Sequence, residues 1–372
     1  MASDHRLDEF LKNLPSYRTR QIHTAWFDTT LSSYDQITTL PLEMRTALAE
    51  IPWLSVVVHT FLKSELDNTR KALLKLADEQ YVELVIMGRP TKKQTNEVRS
   101  PESEVQRVGD SDQLAPDRYT ICVSCQAGCP MKCAFCATGK QGFKRNLSVQ
   151  EIVDQYRLSQ RLLAQENARV ANIVFMGQGE PLLNYENVKN AVNILLKNTD
   201  LGPTKITIST AGVVPSMEKV LQDPDFPAVR WAISLHSAIE ESRKFIMPSH
   251  KPGFLEFLVK WANEYHEKFG TKTHFLGLEY IMLGGVNDDD KHLKALIDLG
   301  KRMPYIRINL IPYNSITDAE VNNIDVFSRT PSERIEHWRD TLMNKGFTVT
   351  VRYSQGQDIA AACGQLRNKT SV

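Results

Sequence analysis

Apolar residues near the N-terminus recur at helical spacing. Leu7, Phe10, Leu11 and Leu14 share one face, and Pro15 closes the segment. A second helix carries Arg18, Arg20, Gln21, Trp26 and Phe27. Leu40–Leu48, with Pro41 at its start, and Val56–Leu62 read as further short helices. Residues 1–75 are therefore expected to form a small helical bundle. From Lys71 to Val85 the period changes: Leu73, Leu74 and Leu76 end a helical or extended arm, and Tyr81–Met87 reads as a strand. Residues 89–117 are polar without apolar periodicity, the pattern of a mobile loop or disordered insertion. Segment 76–117 is thus a strand plus a polar linker.

Beyond it, strands and helices alternate. Arg118–Val123 is a strand. Ser148 and Glu151 form a capping box that opens a helix to about Ala164. Strands follow at Val170–Met176, Thr204–Thr210, Val229–His236, Phe275–Leu283 and Tyr305–Pro312. Between and after them come helices at Tyr185–Lys197, Met217–Leu221, Phe254–Lys268, Asp289–Met303 and Ser332–Asn344. Six such βα units imply a parallel sheet covered by helices. Phe347–Tyr353 adds a last strand, so residues 118–353 make one α/β domain and 354–372 a C-terminal tail. In a parallel barrel, chemistry collects at the C-terminal strand ends. The distinctive clusters lie there: the cysteine loop, Gly177–Pro181, Ser209–Gly212, Ser234–His236 and Pro312–Asn314.

Composition narrows the class. The N-terminus MASDHRLDEF is charged and lacks an apolar core, so it does not read as a secretion signal. The longest apolar stretch, Trp53–Leu62, is too short and broken to span a bilayer, so no membrane is expected. A cytoplasmic protein with reduced thiols is the expectation. The balance of 45 basic and 44 acidic residues neither points to nucleic acid nor excludes it; a local basic patch is needed. Arg18, Arg20, Lys92, Lys93, Lys140, Lys144, Arg145 and Arg367 are candidates for one, or form a solvated surface.

Five of the six cysteines fall between Cys122 and Cys136. Cys129, Cys133 and Cys136 have the spacing C-x3-C-x2-C, close enough to wrap one corner of a metal cluster. Four thiolates would complete a [4Fe–4S] cluster; three leave one iron open to a substrate. The pairs Cys122/Cys125 and Cys133/Cys136 also have C-x2-C spacing, which keeps a zinc site open. A disulfide framework fits poorly with sparse cysteines in a chain without a secretion signal.

The open-iron spacing, with Phe135 before its last cysteine, resembles the motif of radical S-adenosylmethionine (SAM) enzymes. The segments CVSCQAGC, GFKRNL, FMGQGEPLLN, STAGVVP, ISLHS, GGVND and AACGQL together resemble the RlmN/Cfr family of radical SAM RNA methyltransferases, in family order and over most of the chain. The resemblance implies a partial (β/α)6 radical SAM barrel with a small helical N-terminal domain that docks RNA. It implies methylation of an unreactive adenosine ring carbon in large-subunit ribosomal RNA and transfer RNA. QAGC and QGF look like the branch that methylates C2; the other branch methylates C8. The implied cofactors are a [4Fe–4S] cluster and SAM, two per turnover, with an electron donor such as a flavodoxin or ferredoxin. The implied state is a monomer.

Residue by residue, the resemblance assigns Cys129, Cys133 and Cys136 to the cluster. Cys363 matches the methyl-carrying cysteine, Cys122 the cysteine that resolves the adduct through a disulfide, and Glu83 the base that removes the ring proton. Gly179 and Glu180 match the group holding the SAM amine. Ser209, Ser234, Leu235, His236 and Asn314 match its remaining contacts. Each has a plainer reading: Cys363 and Cys122 as inert thiols, Glu83 as a solvated carboxylate, His236 as a core histidine, and Asn314 as a turn former. Cys125 stands where the family commonly has Ser or Thr, Asn314 lacks the family's proline-rich continuation, and the 89–117 segment is long. Two rival classes are a radical SAM enzyme of another reaction type, which would not need Cys122, Cys363 and Glu83 together, and a metal-stapled RNA-binding protein, which would not need the GQGEP strand end.

Overall fold

The computed structural model describes residues 6–88, 117–270, 274–316 and 327–367. The polar segment and the candidate cations Lys92 and Lys93 lie outside the described residues.

Three antiparallel strands, β1 (Val56–Lys63), β2 (Arg70–Leu76) and β3 (Tyr81–Gly88), lead into β4 (Arg118–Cys122), which pairs antiparallel with β3. The expected helix at Val56–Leu62 is therefore strand β1, and the Leu73–Leu76 arm is extended as β2. The run Val56-Val57-Val58 explains the first correction: β-branched side chains are stiff and favour a pleated surface over a helix. A short hairpin follows, β5 (Gln126–Gly128) with β6 (Phe143–Asn146). Then come β7 (Arg169–Phe175), β8 (Ile206–Thr210), β9 (Arg230–Ser234), β10 (Leu276–Gly284), β11 (Ile306–Pro312), β12 (Ser328–Arg329) and β13 (Thr348–Val351).

Strands β4, β7, β8, β9, β10, β11 and β13 lie side by side in chain order and every neighbouring pair is parallel. A helix packs across each connection, so the expected α/β alternation is present. β10 (LGLEYIMLG) is buried at all but its last residue, as a strand covered on both faces must be. The capping box at Ser148 is real: its hydroxyl accepts from the Glu151 amide at 3.2 Å, and the Glu151 carboxylate accepts from the Ser148 amide at 2.8 Å.

The N-terminal helices Arg6–Lys12, Ser16–Trp26 and Leu42–Ala49 gather their own core around Leu7, Ile22, Trp26, Tyr34 and Leu48. Arg157, from the helix Val149–Ala164, pins this core to the barrel. Its Nε donates to the Trp26 carbonyl at 3.0 Å, its guanidinium lies over the Trp26 and Trp53 rings, and it pairs with Asp154. An ion pair, a carbonyl acceptor and two ring faces offset most of the cost of burying this cation, though its Nη2 has no hydrogen-bond partner among the described residues. Among the described residues no helix is long and apolar enough to cross a membrane.

Candidate active site

The cleft opens at the C-terminal strand ends. The loop after β4 carries the cysteines, and the β5–β6 hairpin closes it: the Cys129 amide donates to the Gly142 carbonyl at 2.9 Å. A Cβ on Gly128 would fall 1.9 Å from that carbonyl oxygen, so only glycine lets the strands meet. Cys129, Cys133 and Cys136 line one wall of a cleft of about 910 Å³, counting its open mouth. Among the described residues, no three His, Cys, Asp or Glu side chains converge as they would around a single metal ion. A four-iron cluster spreads its thiolates around a larger body, and three cysteines on one wall suit it.

The same cleft is lined by Gly177, Gly179, Glu180, Ser209, Thr210, Ser234 and His236. Glu180 is buried. Its carboxylate accepts from the Leu182 amide at 3.0 Å, the Thr210 hydroxyl at 2.7 Å and the Ala211 amide at 2.7 Å. Burial pushes its pKa up, while these three donors favour the charged form. The group is held ready for a cation, and an amine arriving in the cleft supplies one. Gly179, at φ +106°, lets the chain bend there, and a Cβ would sit 2.6 Å from the Gln126 Cβ. Gly179→Ala is expected to cost about 3 kcal/mol, from strain plus overpacking, measured as a lower denaturant midpoint.

His236 also has positive φ, at 55°. Its Nδ1 accepts from the Ile281 amide at 3.0 Å, and burial drives its pKa down to about 3. The ring is therefore neutral with its proton on Nε2, a fixed donor packed edge-on to Phe135. Leu235, by contrast, has a core side chain and does not line the cleft; its amide donates to the Glu279 carbonyl at 3.0 Å.

The tail forms the cleft's last wall. Cys363 and Gly364 line it, and Cys363 exposes its thiol there. Ala137 donates to the Gly364 carbonyl at 2.7 Å and Thr138 to the Leu366 carbonyl at 2.7 Å, tying the tail to the cluster loop. Asn314 does not line this cleft; its amide donates to Ser354 Oγ at 2.7 Å and to the Cys363 carbonyl at 3.4 Å, holding the tail from behind. Underneath, Cys122 packs with Val85, Ala361 and Leu366. Burial first, then the Cys363 thiol, push Cys122 up to about 12. Cys122 is a protonated, enclosed thiol; Cys363 is open to the cleft.

Glu83 shares the face of β3 that turns toward Cys122, because Val85, two residues on, stands opposite Cys122. It is buried, its Oε1 meets Lys71 Nζ at 3.1 Å, and its Oε2 has no hydrogen-bond partner. Burial raises its pKa to about 7 against the pull of Lys71 and Arg367. Arg367 therefore stands beside Glu83. Arg145 is likewise structural, bridging Asp78 at 2.6 Å and Glu151 at 2.8 Å.

Two cleft residues, Glu279 and Arg352, and a third behind the cleft, Arg243, belong to no motif of the sequence. Glu279 accepts from Asn309 at 2.7 Å and pairs with Arg352 at 3.3 Å, placing a carboxylate and a cation beside Cys363. Glu279 could have been found as the one charge in the apolar run of β10. Buried Arg243 donates to the carbonyls of Ala211 at 2.7 Å, Leu235 at 3.1 Å and Ser234 at 3.2 Å, bracing two strand ends.

A cysteine-walled cleft beside a buried carboxylate, at the carboxyl ends of a parallel sheet, defines a radical SAM enzyme, and residues 123–299 match the model of the Radical SAM superfamily. The chain is 37% identical over 358 residues to a protein of Microcystis aeruginosa named "Probable dual-specificity RNA methyltransferase RlmN", covering 96% of this chain and 94% of that protein. It is 35% identical to a protein of the same name from Chlorobium phaeobacteroides, over 99% of this chain and 94% of the other. A radical SAM methyltransferase from Sphaerobacter thermophilus has the same fold, with TM-score 0.80, 32% identity and coverage of 97% and 96% of the two chains. The chain belongs to the RlmN family of radical SAM RNA methyltransferases. It is a SAM-dependent RNA methyltransferase whose family cofactors are a [4Fe–4S] cluster and SAM.

Proposed function

We propose that this protein methylates C2 of an adenosine in large-subunit ribosomal RNA, and in transfer RNA, with Cys363 as methyl carrier and Cys122 as resolving thiol. The observation that carries the reading is the gathering of Cys363, Cys122 and Glu83 around one tail, beside the three-cysteine wall. Held by Cys129, Cys133 and Cys136, the cluster with SAM supplies the radical chemistry that a non-nucleophilic ring carbon requires. The chain's own residues orient and exclude. Glu180 and the Gly177–Gly179 bend receive the methionine end of SAM, and His236 offers a fixed N–H. The open Cys363 thiol accepts the methyl group, while its enclosure beneath the tail keeps Cys122 from the same fate. Glu83, with a free buried oxygen, takes the ring proton. The target base must leave its stack to reach them, at about a few kcal/mol. The protein acts as a cytoplasmic monomer and draws electrons from a flavodoxin or ferredoxin.

Glu83→Gln tests the base. Methylation should fall by roughly 10²-fold or more, since the amide cannot take a proton. The same variant reads the burial. Between the unfolded value of 4.5 and the folded value of about 7, native Glu83 keeps a proton that the unfolded chain has lost. Raising pH through that window therefore favours unfolding. Relative to Glu83→Gln, the parent should lose up to about 3 kcal/mol between pH 5 and 8, seen in denaturant titrations. Parallel pH profiles would remove the buried base.

A further inference from the structure

Away from the cleft, the helices Ser16–Trp26 and Tyr185–Asn198 flank a groove of about 1620 Å³, counting its open mouth. Ser16, Thr19, Arg20 and His23 line one wall, and Asn187, Asn190, Asn193 and Lys197 the other. Each set has helical spacing, so each is one face of its helix. Facing helix surfaces inside a protein normally carry apolar side chains that fill the space between them. Beside Trp26 and Ile194, these two carry amides, hydroxyls and cations, and leave the space open. Lys12 adds a third cation. Among the described residues lining the groove none is a carboxylate, and Lys12, Arg20 and Lys197 form no ion pair with a described residue. The resulting field is visible in His23: burial, then Lys197 and Arg157, push its pKa down to about 4, so the imidazole stays neutral.

The groove also adjoins the cleft's backing. Asn187 Nδ2 donates to the Leu147 carbonyl at 3.0 Å; Asn184 donates to that carbonyl and to the Cys125 carbonyl, both at 2.8 Å. A chain lying in the groove would pass next to the loop that carries the cysteines.

We propose that this groove binds the phosphodiester backbone of the RNA substrate, away from the nucleotide being modified. Cations with no acidic partner among the described residues attract phosphates, and Asn190 and Thr19 add neutral donors to phosphate and sugar oxygens. The inference rests on the RNA methyltransferase reading and adds a second contact zone to it.

The test uses the full-length protein and a fluorescent RNA hairpin with an unpaired adenosine in its loop. The triple variant Lys12→Glu, Arg20→Glu, Lys197→Glu should bind at least about tenfold more weakly, and the slope of log affinity against log salt should flatten by roughly 2, for three lost phosphate contacts. Lys260→Glu, on the exposed face of another helix, should bind as the parent does. If the triple variant melts early, the single exchanges Lys12→Ser, Arg20→Ser and Lys197→Ser should each reduce the slope. Parent-like affinity and slope in all variants of a protein that methylates RNA would overturn the groove and leave the activity standing. A parent protein that neither binds nor methylates any RNA would overturn both.

Discussion

Cys122→Ala protein is expected to purify with RNA covalently attached through Cys363. The geometry separates the two thiols: Cys363 is open to the cleft, whereas Cys122 lies beneath the tail against Ala361 and Leu366. Removing Cys122 leaves methyl acceptance and attack on the base intact but deletes the thiol that displaces Cys363 from the product. Product release should fall to background, and the protein should carry a ribonuclease-sensitive mass. Cys363→Ala should give neither methylated RNA nor adduct. The Cys122 exchange costs about 1 kcal/mol, typical of a single substitution, so failure to fold is not expected to blur the outcome. Free Cys122→Ala protein that releases methylated RNA normally would remove the two-cysteine scheme.

Exchange of Cys129, Cys133 or Cys136 to Ala should have an effect just as large. With two thiolates left on the wall, iron and sulfide content should drop to background, and with it all cleavage of SAM. Cys133 and Cys136 pack against the small cluster of Phe135 and Ile281, and none of the three cysteines belongs to the main core. Melting of the variants should therefore match that of the parent stripped of iron. An iron-loaded Cys133→Ala protein would show that the spacing has been misread.

Which parts of this were legible depends on how local the physics is. The capping box at Ser148 and the helix Ser332–Asn344 are set by their own residues, and both stand as read. The cluster cysteines announce themselves because three thiolates so close serve few other ends. Val56–Leu62 shows no clean period, because only part of one face is buried; pairing with β2 makes it a strand. The β5–β6 hairpin is too short to show alternation. Arg145 looked like an RNA contact until Asp78, 67 residues away, came into range. Glu279, Arg352 and Arg243 act through partners on other strands, and a single charge in a sequence says nothing of its partner. The tail illustrates the limit best: Cys363 is one small residue near the C-terminus, and only the fold brings its segment beside Cys136 and over Cys122.

The central claim, methyl transfer to an adenosine ring carbon, has one direct test. Protein reconstituted with iron and sulfide without oxygen is reduced and given SAM and ribosomal RNA, and the RNA is digested to nucleosides for mass spectrometry. The account predicts 2-methyladenosine, with 5′-deoxyadenosine released alongside it. RNA that stays unmethylated, or that gains its methyl group at C8, on an exocyclic nitrogen or on a ribose, would contradict it.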